Sequence, residues 1–380
     1  MDQAAYEAYR DRMFEAIWRD VDSLVDEIED TERIPSEKLF PALRAMGAWA
    51  CFVPEEYGGA GLTVSQYLPI IAEFAKVHGG VRALVHVHNS FTHALADLGT
   101  PEQKADLLPG CAVGEKSVAF ALTEPEHGTG LDLGTTAVLD GGEWVINGRK
   151  WLITNSDFAS HFIVLAKTDP GDRARALTAI LVPRDAPGLT IEPLPHTMGC
   201  KGGEHGQLTF VDVRVPAGDV LGGEVGAGEA QLEHMLEISR VLVAASSLGT
   251  AERALELAAE HAKARKTFGK RIADRQAVQR YLAEMATDVY AMRTMLDDCA
   301  RRWDAGERIP AQSAMTKLFC LEAVGRVTDR ALLCHGGIGY TRRHRVELMY
   351  RDARLNWLEE GTPTIMHLVT AREVLAGNAP

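Results

Sequence analysis

The chain has 380 residues, more than a single hydrophobic core usually supports, so two or three packed units are expected. Its 53 Asp and Glu outnumber its 40 Lys and Arg and give a formal net charge of −13. That charge argues against a nucleic-acid partner, because nucleic-acid-binding proteins carry a basic surface. Hydrophobic residues make up 46% of the chain and charged residues 24%, which is typical of a folded globular protein.

The six cysteines are scattered, without a C-x-x-C pair or zinc-finger spacing, which predicts reduced thiols in a reducing compartment. His86, His88 and His93 could suggest a metal site, but no carboxylate or cysteine accompanies them, and we interpret them as core and surface histidines. Residues 1–24 lack the apolar centre of a signal peptide, and no stretch of 18 residues is apolar enough to span a bilayer. We therefore expect a soluble, cytoplasmic protein without a metal.

The chain begins with a region whose apolar residues recur at intervals of three and four, which predicts helices with one buried face. This region, residues 4–112, is interrupted by a glycine-rich loop at 53–62. Between residues 117 and 215 the pattern changes to short apolar runs bounded by Gly, Pro, Asp and Asn, which predict strands. The Asp-Gly-Gly sequence at 140–142 predicts a hairpin turn among them.

Helical spacing returns from residue 228 onward. In this region Met285, Val289 and Met292 fall on one predicted buried stripe of a helix. No G-x-G-x-x-G follows a predicted strand near either end of the chain, so a Rossmann fold has little support. The pattern predicts a mainly α, α+β protein with an N-terminal helical domain, a central β domain and a C-terminal helical domain. Their predicted bounds are 1–115, 116–227 and 228–380.

Short sequences typical of one family follow one another along the chain. They are VPEEYGGAGL (53–62), GTPEQKADLLP (99–109), ALTEPEHGTG (121–130), GRKWLITNS (148–156), LTFVDVRVP (208–216), RKTFGKRIADRQAV (265–278), CHGGIGY (334–340) and YRDARLNWLEEGT (350–362). Together they resemble the acyl-CoA dehydrogenase family over nearly the full chain. The resemblance implies a helical domain, a β-barrel-like domain and a C-terminal four-helix bundle, commonly in a homotetramer.

The resemblance also implies an FAD-dependent oxidoreductase of fatty acid metabolism that introduces an α,β double bond into an acyl-CoA thioester. Glu360, directly before Gly361 and Thr362, matches the base that removes the α-proton, while the flavin N5 takes the β-hydride. A carboxylate suits this role because burial in a dry site raises its pKa and its basicity. The backbone N–H of Glu360 and a ribityl hydroxyl of the flavin are implied to polarise the thioester carbonyl.

Other interpretations of this position exist. Taken alone, the pair Glu359 and Glu360 would be two surface acids. Some relatives place the base one residue before the arginine that Arg240 matches, but that position is Ser239 here, and a serine cannot act as a strong base unaided. Within the surrounding motif we therefore assign the base to Glu360.

The family resemblance implies two sets of FAD-binding residues, and the first lies between residues 122 and 154, within the predicted β domain. Leu122 and Thr123 match positions at the pyrimidine side of the flavin, and Thr154 matches a position near N5, where donors stabilise the reduced state. Gly128 and Thr129 match positions near the pyrophosphate, where glycine permits close approach. Each threonine alone could be a satisfied strand or turn residue. The first set is Leu122, Thr123, Gly128, Thr129, Ile153 and Thr154.

The second implied set would reach the FAD of a neighbouring subunit. The guanidinium of Arg265 suits a pyrophosphate, and Phe268 offers a flat face to an adenine. The alternative is that residues 265–271 form only a solvated turn after a helix. The second set is Arg265, Phe268, Gln276, Gly336, Gly337, Thr362 and Thr364.

The substrate is implied to contact Thr129, Glu237, Arg240 and Gly361. The spacing of three places Glu237 and Arg240 on one helix face, beside the pantetheine arm in the family. The alternative is a plain ion pair within the helix, worth a few tenths of a kcal/mol.

The sequence departs from the family at four positions that bear on FAD. Gly130 replaces an Asp, and Leu152 stands where an aromatic residue is usual. Leu333 replaces a Gln, and Thr364 replaces a Gln or Glu. The first two changes affect the flavin's surroundings, and the last two weaken side-chain contacts to the FAD of the adjacent subunit.

The function that follows is acyl-CoA dehydrogenation, with electrons passed to an electron-transfer flavoprotein or a similar acceptor. Three alternatives are a dehydrogenase of carrier-protein-bound thioesters, a non-desaturating flavin enzyme such as a reductase or desulfinase, and a catalytically silent subunit of a hetero-oligomer. The acyl chain length that the enzyme accepts depends on the depth of the pocket, which the packing of the helices decides.

Overall fold

The computed structural model describes residues 1–127, 132–168, 176–194, 196–203 and 205–378. Helices, then strands, then helices follow one another along the chain, which confirms the predicted order. In the described part, no helix is both long enough and apolar enough to cross a membrane.

The N-terminal part is helical. Two of its helices, α4 (Val64–Val77) and α6 (Pro101–Ala112), each begin with a capping box, in which a threonine and the glutamine three residues later satisfy each other's free backbone N–H groups. These boxes are formed by Thr63 with Gln66 and by Thr100 with Gln103. The helices are α1 (Gln3–Ala16), α2 (Val25–Thr31), α3 (Ser36–Met46), α4 (Val64–Val77), α5 (Gly79–Leu98) and α6 (Pro101–Ala112).

The central part is a curled seven-stranded sheet in the order β1-β4-β2-β3-β7-β6, with β5 paired to β4. Gly141 and Gly142 connect β2 to β3 in a two-residue turn with positive φ at both positions, which confirms the predicted hairpin. The strands are β1 (Val118–Ala121), β2 (Thr136–Asp140), β3 (Glu143–Ile153), β4 (His161–Lys167), β5 (Leu177–Pro183), β6 (Leu189–Pro193) and β7 (Gly206–Pro216).

The C-terminal part is again helical, and a small hairpin projects between its first two helices. Met285, Val289 and Met292 are buried, as their spacing predicts. The elements are α7 (Gly228–Ala264), β8 (Lys266–Thr267), β9 (Lys270–Arg271), α8 (Gln276–Asp304), α9 (Pro310–His335), α10 (Val346–Asn356) and α11 (Pro363–Leu375).

Three apolar clusters hold these parts together. The largest joins the N-terminal helices to α7, α8, α9 and α10, the second joins α5 and α6 to the sheet, and the third fills the inside of the sheet. Helices α5 and α7 therefore lie where the three parts meet, which is the position of the cavity described next.

Candidate active site

A cavity of about 560 Å³ lies where the three parts of the chain meet. Its walls come from the ends of β1 and β3, from α5 and α7, and from the segment between α10 and α11. Phe91 and Phe120 line it and stack with ring centroids 4.7 Å apart. Apolar walls with a few polar groups are typical of a site for a small organic ligand.

Glu360 lies in the cavity wall after α10, and 10% of its side chain is exposed. Its backbone is left-handed, with φ of 55°, and Gly361 follows with φ of 99°. Lys317 on α9 donates to the carbonyl of Glu359 at 2.6 Å and also to the carbonyl of Gly361. Arg240 on α7 donates to the carbonyl of Glu360 at 3.5 Å. The two helices therefore hold this turn by its backbone, which restricts where the Glu360 carboxylate can lie.

Polar groups from three helices surround the Glu360 carboxylate. The Nε2 atom of His86 lies 3.8 Å from its Oε1 atom and 3.3 Å from the hydroxyl of Ser239. Burial raises the pKa of Glu360, but the nearby imidazole of His86, the charge of Lys317 and the hydroxyl of Ser239 together outweigh it and hold the pKa below its usual value. This corrects the sequence-based expectation of a raised pKa, since burial here comes with polar neighbours.

The two strand ends that were expected to face a flavin both line the cavity. The N–H of Trp151 donates to the carbonyl of Thr123 at 2.7 Å, and Lys150 Nζ donates to the carbonyl of Leu122 at 3.1 Å. These bonds tie the end of β3 to the segment after β1. Leu152 also lines the cavity, with φ of 56°. The predicted positions in this wall are Leu122, Thr123, Ile153 and Thr154.

Thr154 has a partner that the sequence did not indicate. Its hydroxyl lies 3.0 Å from Nδ1 of His205, which also lines the cavity. Burial lowers the pKa of His205, so the imidazole is neutral at neutral pH. A neutral imidazole in this position orients the Thr154 hydroxyl without adding a charge to the cavity.

Of the two polar residues expected at the substrate on α7, the structure brings only Arg240 into the cavity. Glu237 is buried elsewhere, where its carboxylate pairs with Arg308 and accepts from the N–H of Ile309 at the start of α9. Glu237 therefore joins α7 to α9 and does not line the cavity, and it pairs with Arg308 where the alternative interpretation expected Arg240. Its contact with a substrate stays a prediction. Gly361 does line the cavity, as expected of a residue beside the substrate.

None of the residues of the second predicted FAD set lines this cavity, although Thr362 and Thr364 adjoin Gly361 and Ile365, which do. Phe268 is 96% exposed at the tip of the β8–β9 hairpin, and a Cβ added to Gly336 or Gly337 would meet no atom within 4 Å. Within this chain these residues therefore do not complete the cavity. The residues concerned are Arg265, Phe268, Gln276, Gly336, Gly337, Thr362 and Thr364. Gly128 and Thr129, together with the departure at Gly130, lie outside the described residues.

Sequence reasoning missed three residues of the site: His86, Lys317 and His205. His86 was interpreted as a core histidine, and it is indeed fully buried, but it faces Glu360. Lys317 is the only cation between Arg308 and Arg326, in a helical stretch rich in apolar residues, and this is the one signal in the sequence that could have drawn attention to it. In the residues that the structure covers, no three His, Cys, Asp or Glu lie close enough together to hold a metal.

Comparisons with known proteins agree with this architecture. The family models for acyl-CoA dehydrogenase match with their N-terminal domain at residues 3–115, their middle domain at 119–213 and their C-terminal domain at 226–375. The chain is 37% identical to acryloyl-CoA reductase (NADH) of Anaerotignum propionicum, over 90% of this chain and 89% of that protein. It is 34% identical to a subunit of the caffeyl-CoA reductase-Etf complex of Acetobacterium woodii, over 93% of both.

A solved structure is also similar. Butyryl-CoA dehydrogenase from Megasphaera elsdenii superposes with a TM-score of 0.94 and 30% identity, over 99% of this chain and 100% of that one.

Proposed function

From the membership of this chain in the acyl-CoA dehydrogenase family, which makes it an oxidoreductase acting on acyl-CoA, we propose a specific reaction. The reaction is FAD-dependent α,β-dehydrogenation of an acyl-CoA thioester, with Glu360 as the base. The observation that carries the proposal is the position of Glu360. Its carboxylate shares one largely apolar cavity with the strand ends at Thr123 and Thr154. The removal of an α-proton with transfer of a β-hydride requires a carboxylate base, an apolar cavity and a wall that can hold a cofactor.

The residues of this cavity fit a flavin. The bonds between β3 and the segment after β1 hold two backbone segments side by side, with the hydroxyls of Thr123 and Thr154 at their ends. The Thr154 hydroxyl can donate to a ligand when it accepts from the Nδ1–H of His205. FAD bound there would supply the two-electron acceptor for the substrate's β-hydride. Leu122, Thr123, Ile153 and Thr154 would hold its ring system, and Leu152 would pack against it in place of the usual aromatic residue.

The chain's own residues carry out the proton chemistry. Glu360 accepts the proton that leaves the α-carbon, and the electron pair of that C–H bond forms the new double bond as hydride leaves the β-carbon. The left-handed turn fixed by Lys317 and Arg240 aims the carboxylate into the cavity. Phe91, Phe120 and their apolar neighbours keep water from the reacting carbons.

The reverse reaction is a second candidate, because two of the relatives are named as reductases of unsaturated acyl-CoA compounds. In that direction protonated Glu360 would give its proton to the α-carbon of a 2-enoyl thioester. The same residues serve both directions, so the electron donor or acceptor decides which one prevails. Since one relative belongs to a complex with Etf, an electron-transfer flavoprotein is the partner that we propose.

The substrate and the assembly belong to the same proposal. We assign the chain to acyl-CoA metabolism of the fatty acid type and expect a homotetramer, in which the second FAD set of one subunit completes the site of its neighbour. Phe268 is 96% exposed at the tip of the hairpin, so its ring is accessible to a second copy of the chain, as this arrangement requires.

The test is the visible spectrum of purified protein, recorded anaerobically before and after addition of a panel of acyl-CoA thioesters. We expect a flavin spectrum that one thioester bleaches, and mass analysis of an enoyl product. Glu360→Gln should slow the bleaching by at least about a thousandfold, because it removes the base but keeps the shape. Glu322→Gln, on the exposed surface of α9, is the matched control and should bleach at the wild-type rate.

Two outcomes would contradict the proposal in different ways. Turnover of Glu360→Gln within a few fold of wild type would remove Glu360 from the role of base. A flavin that no CoA thioester bleaches, but that a carrier-protein thioester does, would replace the substrate class and leave the chemistry in place.

A further inference from the structure

His86 is a buried histidine with a hydrogen-bond partner on only one of its two ring nitrogens. Its side chain has no exposure, its Nε2 atom lies between Ser239 and Glu360, and its Nδ1 atom has no hydrogen-bond partner among the described residues. A buried polar atom without a hydrogen-bond partner destabilises the folded state. The position is therefore not explained by stability alone.

His88, two residues further along α5, shows what a satisfied core histidine looks like here. It is equally buried, but both of its ring nitrogens have partners, the hydroxyl of Ser117 and the carbonyl of Trp49, each at 3.1 Å. The two histidines differ in one respect that matters: His86 points one nitrogen at an acid in the cavity wall.

We propose that His86 is a positioning residue for Glu360, which holds its carboxylate toward the cavity and stabilises its negative charge in the absence of water. The inference rests on the function proposed above, in which Glu360 is the base. It adds to that function a second side chain that acts on the base without touching the substrate.

The other charged side chains around Glu360 make their hydrogen bonds to other atoms, which leaves the positioning of its carboxylate to His86. From α9, Lys317 donates to the carbonyls on either side of Glu360, and from α7, Arg240 donates to its own carbonyl. The carboxylate of Glu359, the adjacent residue, pairs with Arg82 at 2.9 Å. In the described structure, His86 and its neighbour Ser239 are the side chains left to face the Glu360 carboxylate.

The hydroxyls beside His86 extend the contact. Ser90 on α5 donates to Ser239 at 3.1 Å, and this fixes the Ser239 oxygen so that its own hydrogen is free for His86 or for Glu360. The cluster joins α5 to α7 beneath the cavity wall. Removal of His86 should therefore raise the pKa of Glu360 and leave the backbone turn intact.

The experiment follows α-proton exchange of phenylacetyl-CoA in D₂O by mass spectrometry, with the holoenzyme. This thioester has α-hydrogens but no hydrogen on its β-carbon, so exchange reports the base without oxidation. The exchange rate falls at acidic pH as Glu360 becomes protonated, and we call the pH of this fall the acidic limb. In His86→Leu the acidic limb should lie about one pH unit higher than in wild type, so that exchange is about tenfold slower at pH values below the acidic limbs of both proteins. His86→Gln, which restores a donor, should recover part of the shift.

The matched control is His88→Leu, which removes an equally buried histidine from the same helix and should leave the limb in place. The infrared band of the protonated Glu360 carboxyl gives a readout without turnover, and it should titrate at higher pH in His86→Leu than in wild type. Should His86→Leu not fold, Ser239→Ala should show a smaller shift in the same direction.

The results separate the inference from the function on which it rests. If the acidic limb of His86→Leu lies at the wild-type pH while Glu360→Gln still abolishes exchange, the role of His86 is overturned and that of Glu360 stands. The same conclusion follows from Ser239→Ala if only that variant folds. Undiminished exchange in Glu360→Gln overturns the base, and the inference with it. An equal shift in His88→Leu would show a general effect of the helix and would also overturn the inference.

Discussion

At the scale of single residues, the site depends on a strained turn and the cation that holds it. A left-handed backbone costs a residue with a Cβ about 1–2 kcal/mol, and Glu360 adopts one. Lys317 offsets that cost by donating to the carbonyls of Glu359 and Gly361. Burial lowers the pKa of Lys317 to about 8, so a charged lysine is itself costly here. The strained turn and the buried charge of Lys317 therefore both occur where they orient the Glu360 carboxylate.

Lys317→Met tests this residue. Methionine keeps the length and removes the donor, so the turn loses its support, and a base displaced by about 1 Å can lose about a hundredfold in rate. We expect kcat to fall by at least about tenfold with KM little changed. Global stability should change by less than about 2 kcal/mol, since removing a buried charge offsets the lost bonds.

Lys38→Met, which removes an exposed lysine that pairs with Glu27, is the control and should keep wild-type kcat. A wild-type kcat in Lys317→Met would show that the turn holds its shape without the lysine.

At the scale of elements, a buried ion pair joins β3 to the segment after β1. Lys150 Nζ lies 2.7 Å from Glu124, and both side chains are almost fully buried. Burial raises the pKa of Glu124, but the bonds from Lys150, Thr135 and the N–H of Gly134 outweigh it and lower the pKa to about 2. The pair therefore stabilises the folded state at pH values above the pKa that Glu124 has in the unfolded chain. That stabilisation is lost as the pH falls from about 4.5 to about 2.

Glu124→Gln should lower the free energy of unfolding at pH 7 by about 3–5 kcal/mol, because it leaves Lys150 buried without a counter-charge. The difference from wild type should shrink as the pH falls through the window from 4.5 to 2. Denaturant unfolding at a series of pH values measures both effects.

The control is Glu126→Gln, which breaks the exposed pair between Glu126 and Arg149 on the same two segments. It should change stability by less than about 1 kcal/mol at pH 7. A difference for Glu124→Gln that stays constant down to pH 2 would contradict the lowered pKa.

At the scale of the whole molecule, one chain provides one part of the predicted cofactor contacts. The strand ends and Glu360 meet at the cavity, while the β8–β9 hairpin and the glycines after α9 face outward. A second copy that covers the hairpin would bury Phe268 and bring the exposed set to a neighbouring site. The proposed oligomer would thus serve cofactor binding and not stability alone.

Phe268→Ala should therefore lower the FAD-to-protein ratio that survives desalting and weaken the oligomer, both by at least a factor of about three, since a buried aromatic contributes well over 1 kcal/mol. Val138→Ala, an exposed apolar residue of the central sheet, should change neither. Light scattering with absorbance at the flavin band measures both quantities. A variant with full FAD content and wild-type mass would show that the hairpin makes no such contact.

Local patterns were sufficient for the order of elements, because helices and strands differ in the spacing of their apolar residues. The Asp-Gly-Gly turn at 140–142 was predictable for the same reason, since positive φ at two neighbouring positions favours glycine. Family motifs also pointed to Glu360 and to the strand ends at Thr123 and Thr154, which meet in one cavity. The bounds of the domains and the roles of these residues remain predictions.

The sequence by itself determined the fold class, the family and the segment that carries the acid. Only the tertiary structure decided what surrounds that acid: His86 and Lys317, which are 274 and 43 residues away along the chain. It also placed Glu237 against Arg308, away from the cavity. The physical reason is that burial and the direction of a side chain follow from how helices pack, and that packing joins residues between which no sequence spacing applies.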